Sequence, residues 1–478
     1  MRTALDILLP HITRWRSLAI LTDTWAPLHA ALQQIQPVIT TIGASLLESL
    51  TLMRCNDFVS YSPTFEPQEL KSPAFLTLSE TVDSPRTLLP RLQKLTLRGV
   101  HVDWSGLASM LSQGGRSGLH SLELSSHSVD VRPTISEFRQ LLSTSPGLKK
   151  LVMNGSGLRA VDENEEELMS GLRRISLPCL QGVALGYRSA QEGQILFSLF
   201  DAPKVRTLTL EDATHPGDPE VADAGRLLDY LATGESRTQD DYDFIVAYSP
   251  SEGLYYQLEA EKDDSTQQSP RAASGKEGAR LRAVFQSLES LTLKGVKCAF
   301  PEQLRIFFEA LPNVQHLEMS GMTMGDLDAL LPQAYDNPGS DATAETCPCP
   351  CPRLQSLCIR GFEILKAHDF AFLIRALAMA RVDQGGCGLR RVDLYLDDTE
   401  AIGGYVTEDI IRVSHVGTTV KIIRELPGMY DDSDYSEDDE MDCDDEWGGD
   451  SDPFDAGGAF NDPDFDARYG GAFFEMRD

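Results

Sequence analysis

The 478-residue chain is 41% hydrophobic and carries a formal charge of −31, from 42 Lys and Arg against 73 Asp and Glu. No apolar run approaches the ~18 residues of a membrane span, and an acidic balance this strong argues against nucleic acid as the main ligand, because binding phosphates takes clustered Lys and Arg. The nine cysteines are irregularly spaced and the N-terminal stretch MRTALDILLPHITRWRSLAIL has no cleavage-site pattern, which points to a reducing compartment, cytosol or nucleus.

From Trp15 onward one spacing recurs: an anchor, a second three residues on, and a third two beyond that. Trp15/Leu18/Ile20 and Leu47/Leu50/Leu52 open the series, and Leu92/Leu95/Leu97 follows within PRLQKLTLRG. Trp104 is expected to pack a helix. Leu119/Leu122/Leu124 comes next, ahead of Thr134-Ile-Ser-Glu137, a capping box leading into Phe138, Leu141 and Leu142. Then come Leu148/Leu151/Met153, Leu180/Val183/Leu185 and Val205/Leu208/Leu210, and after a long gap Leu288/Leu291/Leu293 within QSLESLTLKG. Phe300 to Phe308 has Pro301 where a first helical turn tolerates it. Val314/Leu317/Met319 and Leu354/Leu357/Ile359 precede a helical pattern from Asp369 to Leu377, and Leu389/Val392/Leu394 closes the series.

The second and third anchors are two apart and share one face of a short strand. Proline two residues before the first anchor (Pro90, Pro146, Pro178, Pro203, Pro312, Pro352) suits ending a helix and delivering the chain into an extended segment. One unit buries three aliphatic side chains worth about 1.5–3 kcal/mol each, whereas ordering its ~27 residues costs about 1–2 kcal/mol apiece. A lone unit cannot fold, and stacking supplies the shared core.

This pattern resembles the leucine-rich-repeat proteins over about residues 15–400, and the phrase LLPHITRWRSLAILTDTWAPLHAAL is similar to the repeat region of fungal F-box-like proteins. The resemblance implies an α/β leucine-rich-repeat solenoid of irregular repeats, with parallel inner strands and helices and loops on the convex side. It also implies that the repeats hold a protein substrate while an F-box docks the Skp-type adaptor of a ubiquitin ligase. Fourteen residues precede Trp15, fewer than a three-helix F-box needs, so the adaptor is expected only if an F-box is present in the full gene product.

The chain divides into a solenoid over 1–426 with a terminal cap and an acidic, disordered tail over 427–478. An insert over about 232–282 follows a short helical pattern from Arg226 to Leu231; it is read as a largely disordered loop, with a hidden repeat around Phe244 to Tyr248 as the alternative. Tyr405 to Leu426, especially Val420-Lys-Ile422, reads as the cap. From Asp431 to Asp478, nineteen acidic residues against Arg468 and Arg477 leave −17. The tail either solvates the solenoid or binds a basic partner.

No catalytic or phosphate-binding motif is present, so the chain reads as non-enzymatic with no cofactor. Cys347-Pro-Cys-Pro-Cys351 lacks the spacing of a zinc knuckle and is expected to be an exposed, oxidation-prone loop. His101 and His316 read as polar surface residues, and Cys358 as facing the inner side. Function must then come from the inner face. Its candidates are Lys94, Arg98, Lys150, Asn154, Glu211, Lys294, His316, Glu318, Arg360, Arg391 and Tyr395, with Gly182, Ala184 and Gly186 as a smooth patch. The expected role is protein–protein recognition by a monomer. Alternatives are an acidic binder or chaperone of basic proteins such as histones, and a GTPase-activating repeat protein, against which stands the scarcity of asparagine after the strands.

Overall fold

The protein, a computed structural model, is described over residues 2–56, 62–73, 88–113, 118–159, 173–214, 223–235, 283–331, 349–361, 374–379, 381, 387–396 and 418–424. It is an α/β structure built on one twelve-stranded sheet, every strand parallel to its neighbours and paired in chain order. The strands are β1 (Ser17–Thr22), β2 (Ser49–Arg54), β3 (Lys94–Arg98), β4 (Ser121–Ser125), β5 (Lys150–Asn154), β7 (Gly182–Tyr187), β9 (Thr207–Asp212), β10 (Ser290–Lys294), β11 (His316–Ser320), β12 (Ser356–Arg360), β13 (Arg391–Leu396) and β14 (Thr419–Arg424). Two further short strands, β6 (Ile175–Ser176) and β8 (Phe200–Asp201), pair only with each other.

All eleven anchor triplets become strands, and the Val420 segment supplies the twelfth. Leu95 pairs with Leu50 and Leu122, and Leu97 with Leu52 and Leu124, so the second and third anchors form two buried columns along the stack. The first anchors, from Trp15 to Leu389, make a third. β9 pairs directly with β10 across the longest gap in the series; Phe244 to Tyr248, the tail and residues 405–417 of the cap lie outside the described residues.

Proline sits in the turn that carries the chain from a helix end into the next strand, as where Pro146 follows the helix Ile135–Ser143 and Pro312 the helix Pro301–Glu309. The amides of Leu92, Leu148, Leu180 and Leu354 donate to the carbonyls of Leu89, Ser145, Leu177 and Cys351. Each of these prolines is thus the second residue of a four-residue turn, where its fixed φ is pre-set. The glycine that ends both PRLQKLTLRG and QSLESLTLKG serves the other end of the strand: Gly99 and Gly295 both have φ +60, a left-handed conformation in which a side chain would be strained.

The helices pack on the buried columns. They are α1 (Arg2–Leu8), α2 (Trp25–Ile42), α3 (Trp104–Gln113), α4 (Ile135–Ser143), α5 (Ala190–Ser198), α6 (Gly225–Thr233), α7 (Pro301–Glu309) and α8 (Met324–Asp328). The 374–379 part of the Asp369 to Leu377 pattern is also helical, and the rest lies outside the described residues. Trp104 is buried in α3, its Nε1 donating to the Val131 carbonyl at 2.9 Å. The capping box at α4 forms as spelled: Glu137 N donates to Thr134 Oγ1 at 3.2 Å and Thr134 N to Glu137 Oε2 at 2.9 Å. Thr134→Ala is expected to lower stability by about 1 kcal/mol, read as a shifted urea midpoint; an unchanged midpoint would show that tertiary packing alone holds α4.

Candidate functional site

Because β-strand side chains alternate, the residues between the buried columns all emerge on the sheet's open face. The register places them in three rows. Lys94, Lys150, Gly182, His316 and Arg391 begin their strands; Ala184 and Glu318 stand in the middle row; Arg98, Asn154, Glu211, Lys294, Arg360 and Tyr395 form the third. Cys358 joins the middle row between Glu318 and Asp393 and is half-buried.

The candidates do not behave as one cluster. On β9 to β13 the charges engage one another: Lys294 with Glu211 at 3.5 Å, and Arg360 with Glu318 at 3.2 Å. The Arg360 guanidinium lies 3.7 Å from the Tyr395 ring centroid, and Arg391 meets Asp393 at 2.6 Å. Exposed pairs such as Lys294 with Glu211 contribute little to stability and fix the charge order of the face more than they hold it together, whereas Asp393, the partner of Arg391, is buried. On β5 and β7 the floor is lower. Gly182 and Ala184 leave a shallow surface, but Gly186 is buried beneath Asn154, whose Oδ1 stands 2.2 Å from where a β-carbon would sit. The smooth patch is therefore confined to Gly182 and Ala184.

The sequence reading missed a feature along the edge where the strands begin. The residue before each strand donates its amide to the matching carbonyl of the preceding unit, as Gln93 N to Glu48 O at 2.9 Å and Glu289 N to Arg206 O at 2.8 Å. This ladder runs from Arg16 to Arg390 and stacks the outward residues around each first anchor into a rim about 50 Å long at ~4.8 Å per strand. Those positions hold Arg14, Arg16, Arg91, Lys94, Lys149, Lys150, Lys204, Arg206, Arg353, Arg390 and Arg391, all exposed, against Glu48 and Glu289 alone. On a chain of net charge −31, this is a concentrated band of positive potential. Where it leads into β9 to β12 it holds a groove of about 290 Å³ between Lys204, Arg206, Glu289, Asn313, Gln315 and Arg353. Arg353 Nη1 donates to Asn313 Oδ1 at 2.9 Å, and Arg206 approaches Glu289 at 3.8 Å.

The opposite edge, where the strands end, carries a buried polar spine. Asp130 accepts from Phe65 N at 2.9 Å and from Lys71 Nζ at 2.6 Å. The His127 ring pairs through Nδ1 with Ser156 Oγ. Arg132 donates to the carbonyls of His127 (3.2 Å) and Gly155 (3.1 Å) and to Glu192 Oε1 (2.8 Å). Burial, with Lys71 nearby, pushes His101 down to about 4, and burial beside Arg132 pushes His127 down to about 3. His101 is thus not the surface residue expected: it is half-buried, its ring 5.8 Å from that of Phe65. His316 is exposed.

The cysteine loop also differs from expectation. Cys351 is fully buried, with its thiol aimed at the Phe308 carbonyl and pushed up to about 12 by burial, and Cys349 is half-buried. Arg381, itself fully buried, donates to the Pro350 carbonyl at 2.7 Å and to the Cys351 carbonyl at 2.5 Å, which clamps the loop. A protonated, buried thiol resists oxidation. Cys347 lies outside the described residues.

No protein-family model matches the chain, and no curated protein matches it.

Proposed function

We propose that the protein is a recognition module of the leucine-rich-repeat type, the substrate-holding repeat region of an F-box-like protein, which captures a protein partner on its open sheet face. The observation that carries this reading is the face itself: three registered rows of outward side chains on twelve parallel strands, whose columns of leucine make the core and leave the rows free for contact. Gly182 and Ala184 lie between the cations of β3 and β5 on one side and the paired charges of β9 to β13 on the other. A partner's side chain or backbone would seat there. The rim's positive charge counts against the sheet as a binder of basic proteins and leaves that role to residues 431–478.

Ala184→Trp tests the face. The position is half-buried beside Val152 and Thr209, so a large ring fills the shallow floor without entering the core. Affinity purification of tagged full chain is expected to recover a substrate that the variant loses about tenfold or more, at an unchanged melting temperature. A Skp-type adaptor, if it is held by an F-box elsewhere in the gene product, should persist in both. Identical protein sets from wild type and variant would sink the reading.

A further inference from the structure

We propose that the acidic segment 431–450 docks in the same chain on the basic rim, over the groove of Lys204, Arg206 and Arg353, and competes there with acidic surfaces of other proteins. The inference needs only the rim's charge and the tail's sequence, and holds whatever the open face captures.

Charge complementarity carries the assignment. Residues 431–450 contain twelve acidic side chains and no basic one, whereas the rim positions carry eleven cations and two carboxylates. These two stretches are opposite in sign within one molecule, and one is tethered to the other. A tethered segment acts at an effective concentration in the millimolar range, which outcompetes an equal sequence supplied free at micromolar levels.

Reach permits it. β14 ends at Arg424 on the edge opposite the rim, and returning along a six-residue strand takes ~20 Å at about 3.3 Å per residue. Residues 425–430, extended, cover a similar distance. Arg353 leads into β12 and Lys204 into β9, two and five strands from β14, so the groove lies within ~10–25 Å along the stack. Twenty extended residues span up to roughly 65–70 Å, enough to follow the band. The groove is open and polar, and its three cations, Lys204, Arg206 and Arg353, are exposed. An acidic peptide in extended form can stay in contact along the row, because the long, flexible Lys and Arg side chains take up the difference between its ~6.6–6.8 Å alternate-residue repeat and the ~4.8 Å spacing of the strands.

The test uses the full chain and a full-length variant in which the twelve acidic residues of 431–450 are changed to Asn and Gln. A fluorescent peptide of residues 431–450 is titrated against each at 50 mM salt and read by anisotropy. The neutralised chain should take up the peptide at least tenfold more tightly than wild type, and adding Lys204→Glu, Arg206→Glu and Arg353→Glu should abolish that gain. All three positions are exposed, and a matched set of alanine substitutions gives a graded loss should the reversals perturb folding. Equal affinity for the two chains, or a gain that survives the charge reversals, would overturn the proposal. So would a dimer of the wild type that dissociates on neutralising the tail, which would move the contact to a second copy. Tighter uptake by the neutralised chain of a single-stranded oligonucleotide than of the peptide would likewise assign the rim to nucleic acid.

Discussion

Arg132→Met is expected to destabilise the protein by about 3–5 kcal/mol, the magnitude for stranding one partner of a buried ion pair. The Arg132 side chain is 5% exposed and that of Glu192 13%. One guanidinium there ties three successive units together. Nε reaches the carbonyl of His127 after β4, Nη2 that of Gly155 after β5, and Nη1 the Glu192 carboxylate on α5. Methionine keeps much of the volume but none of the donors, so two buried carbonyls and a carboxylate lose their partner together. Glu192 retains the Arg188 amide at 2.9 Å, which is not enough to balance a full charge. The fit around the carboxylate is close: a β-carbon on Gly157 would stand 1.3 Å from Glu192 Oε1, so the acid has no room to swing toward solvent on that side. The double variant Arg132→Met/Glu192→Met should recover most of the loss, because replacing both charges removes the desolvation cost along with the attraction. Urea titrations of the three variants decide it. A loss below 1 kcal/mol in Arg132→Met, or no recovery in the double variant, would contradict the account.

The columns of the sheet were legible because they answer to one rule. Leu92, Leu95 and Leu97 must be apolar whatever surrounds them, and the three-then-two spacing survives insertions of any length between copies. That is why Leu288 is found in register beside Val205 despite the longest gap in the chain. Local spellings with a single meaning were legible too: Thr134 with Glu137 makes the expected capping box, and Arg226 to Leu231 falls inside α6. α2 is not spelled as a helix, since Pro37 interrupts its pattern in the fourth turn and the sequence cannot say that packing of Trp25, Leu28, Leu32, Ile35 and Ile39 overrides it. The prolines before the anchors spell a helix stop, and Pro90, Pro146, Pro178 and Pro352 also take the second position of a turn into the strand, because both uses share one fixed φ.

The site was less legible, for a geometric reason. Reading the residues between anchors as the face identified Lys94, Arg98, Lys150, Glu211, Lys294, Glu318 and Arg360, which do emerge there. The rim needed one further step. Two residues, not one, separate the first and second anchors, so the chain turns as it passes from lead-in to strand and both point outward. Gln93 and Lys94 are such a pair, as are Lys149 and Lys150, and Arg390 and Arg391. A tally of Lys and Arg around the first anchor alone would have shown the band. The polar spine had no such signal, since Arg132 and Glu192 are sixty residues apart in sequence and meet only because intervening units stack. His127 was hidden for the same reason: the Ser156 that holds it belongs to the next unit.

That spine makes the protein sensitive to mild acid. In the unfolded chain His101 and His127 take up protons near pH 6.5, whereas in the folded protein burial holds them neutral down to about 4 and about 3. The unfolded state therefore binds more protons throughout that window, and stability, complete above pH 7, falls as pH drops. Each histidine contributes a slope of about 1.4 kcal/mol per pH unit, so the pair gives a slope of about 2.7 kcal/mol per pH unit between roughly pH 6 and pH 4. Below 4 only His127 continues. Asp130, held low by Lys71 and the Phe65 amide, keeps its charge through the window and adds its own loss only in stronger acid. Glu309 and Asp328 act in the opposite sense, because burial raises both carboxyls and the folded state protonates them first, but they do so nearer the carboxylate range. The environment of His127 shows why protonation is so unfavourable. Its Nδ1 is engaged with Ser156, its Nε2 is buried without a hydrogen-bond partner among the described residues, and Arg132 lies against it. A second proton would face a cation with no acceptor. His127→Asn should halve the slope between pH 6 and pH 4.5 while lowering stability at pH 7.5, because the histidine's neutral packing against Trp104 is lost as well. Unfolding free energies that stay flat from pH 7 to pH 4.5, or a slope unchanged in the variant, would show that the two imidazoles titrate alike in the folded and unfolded chain.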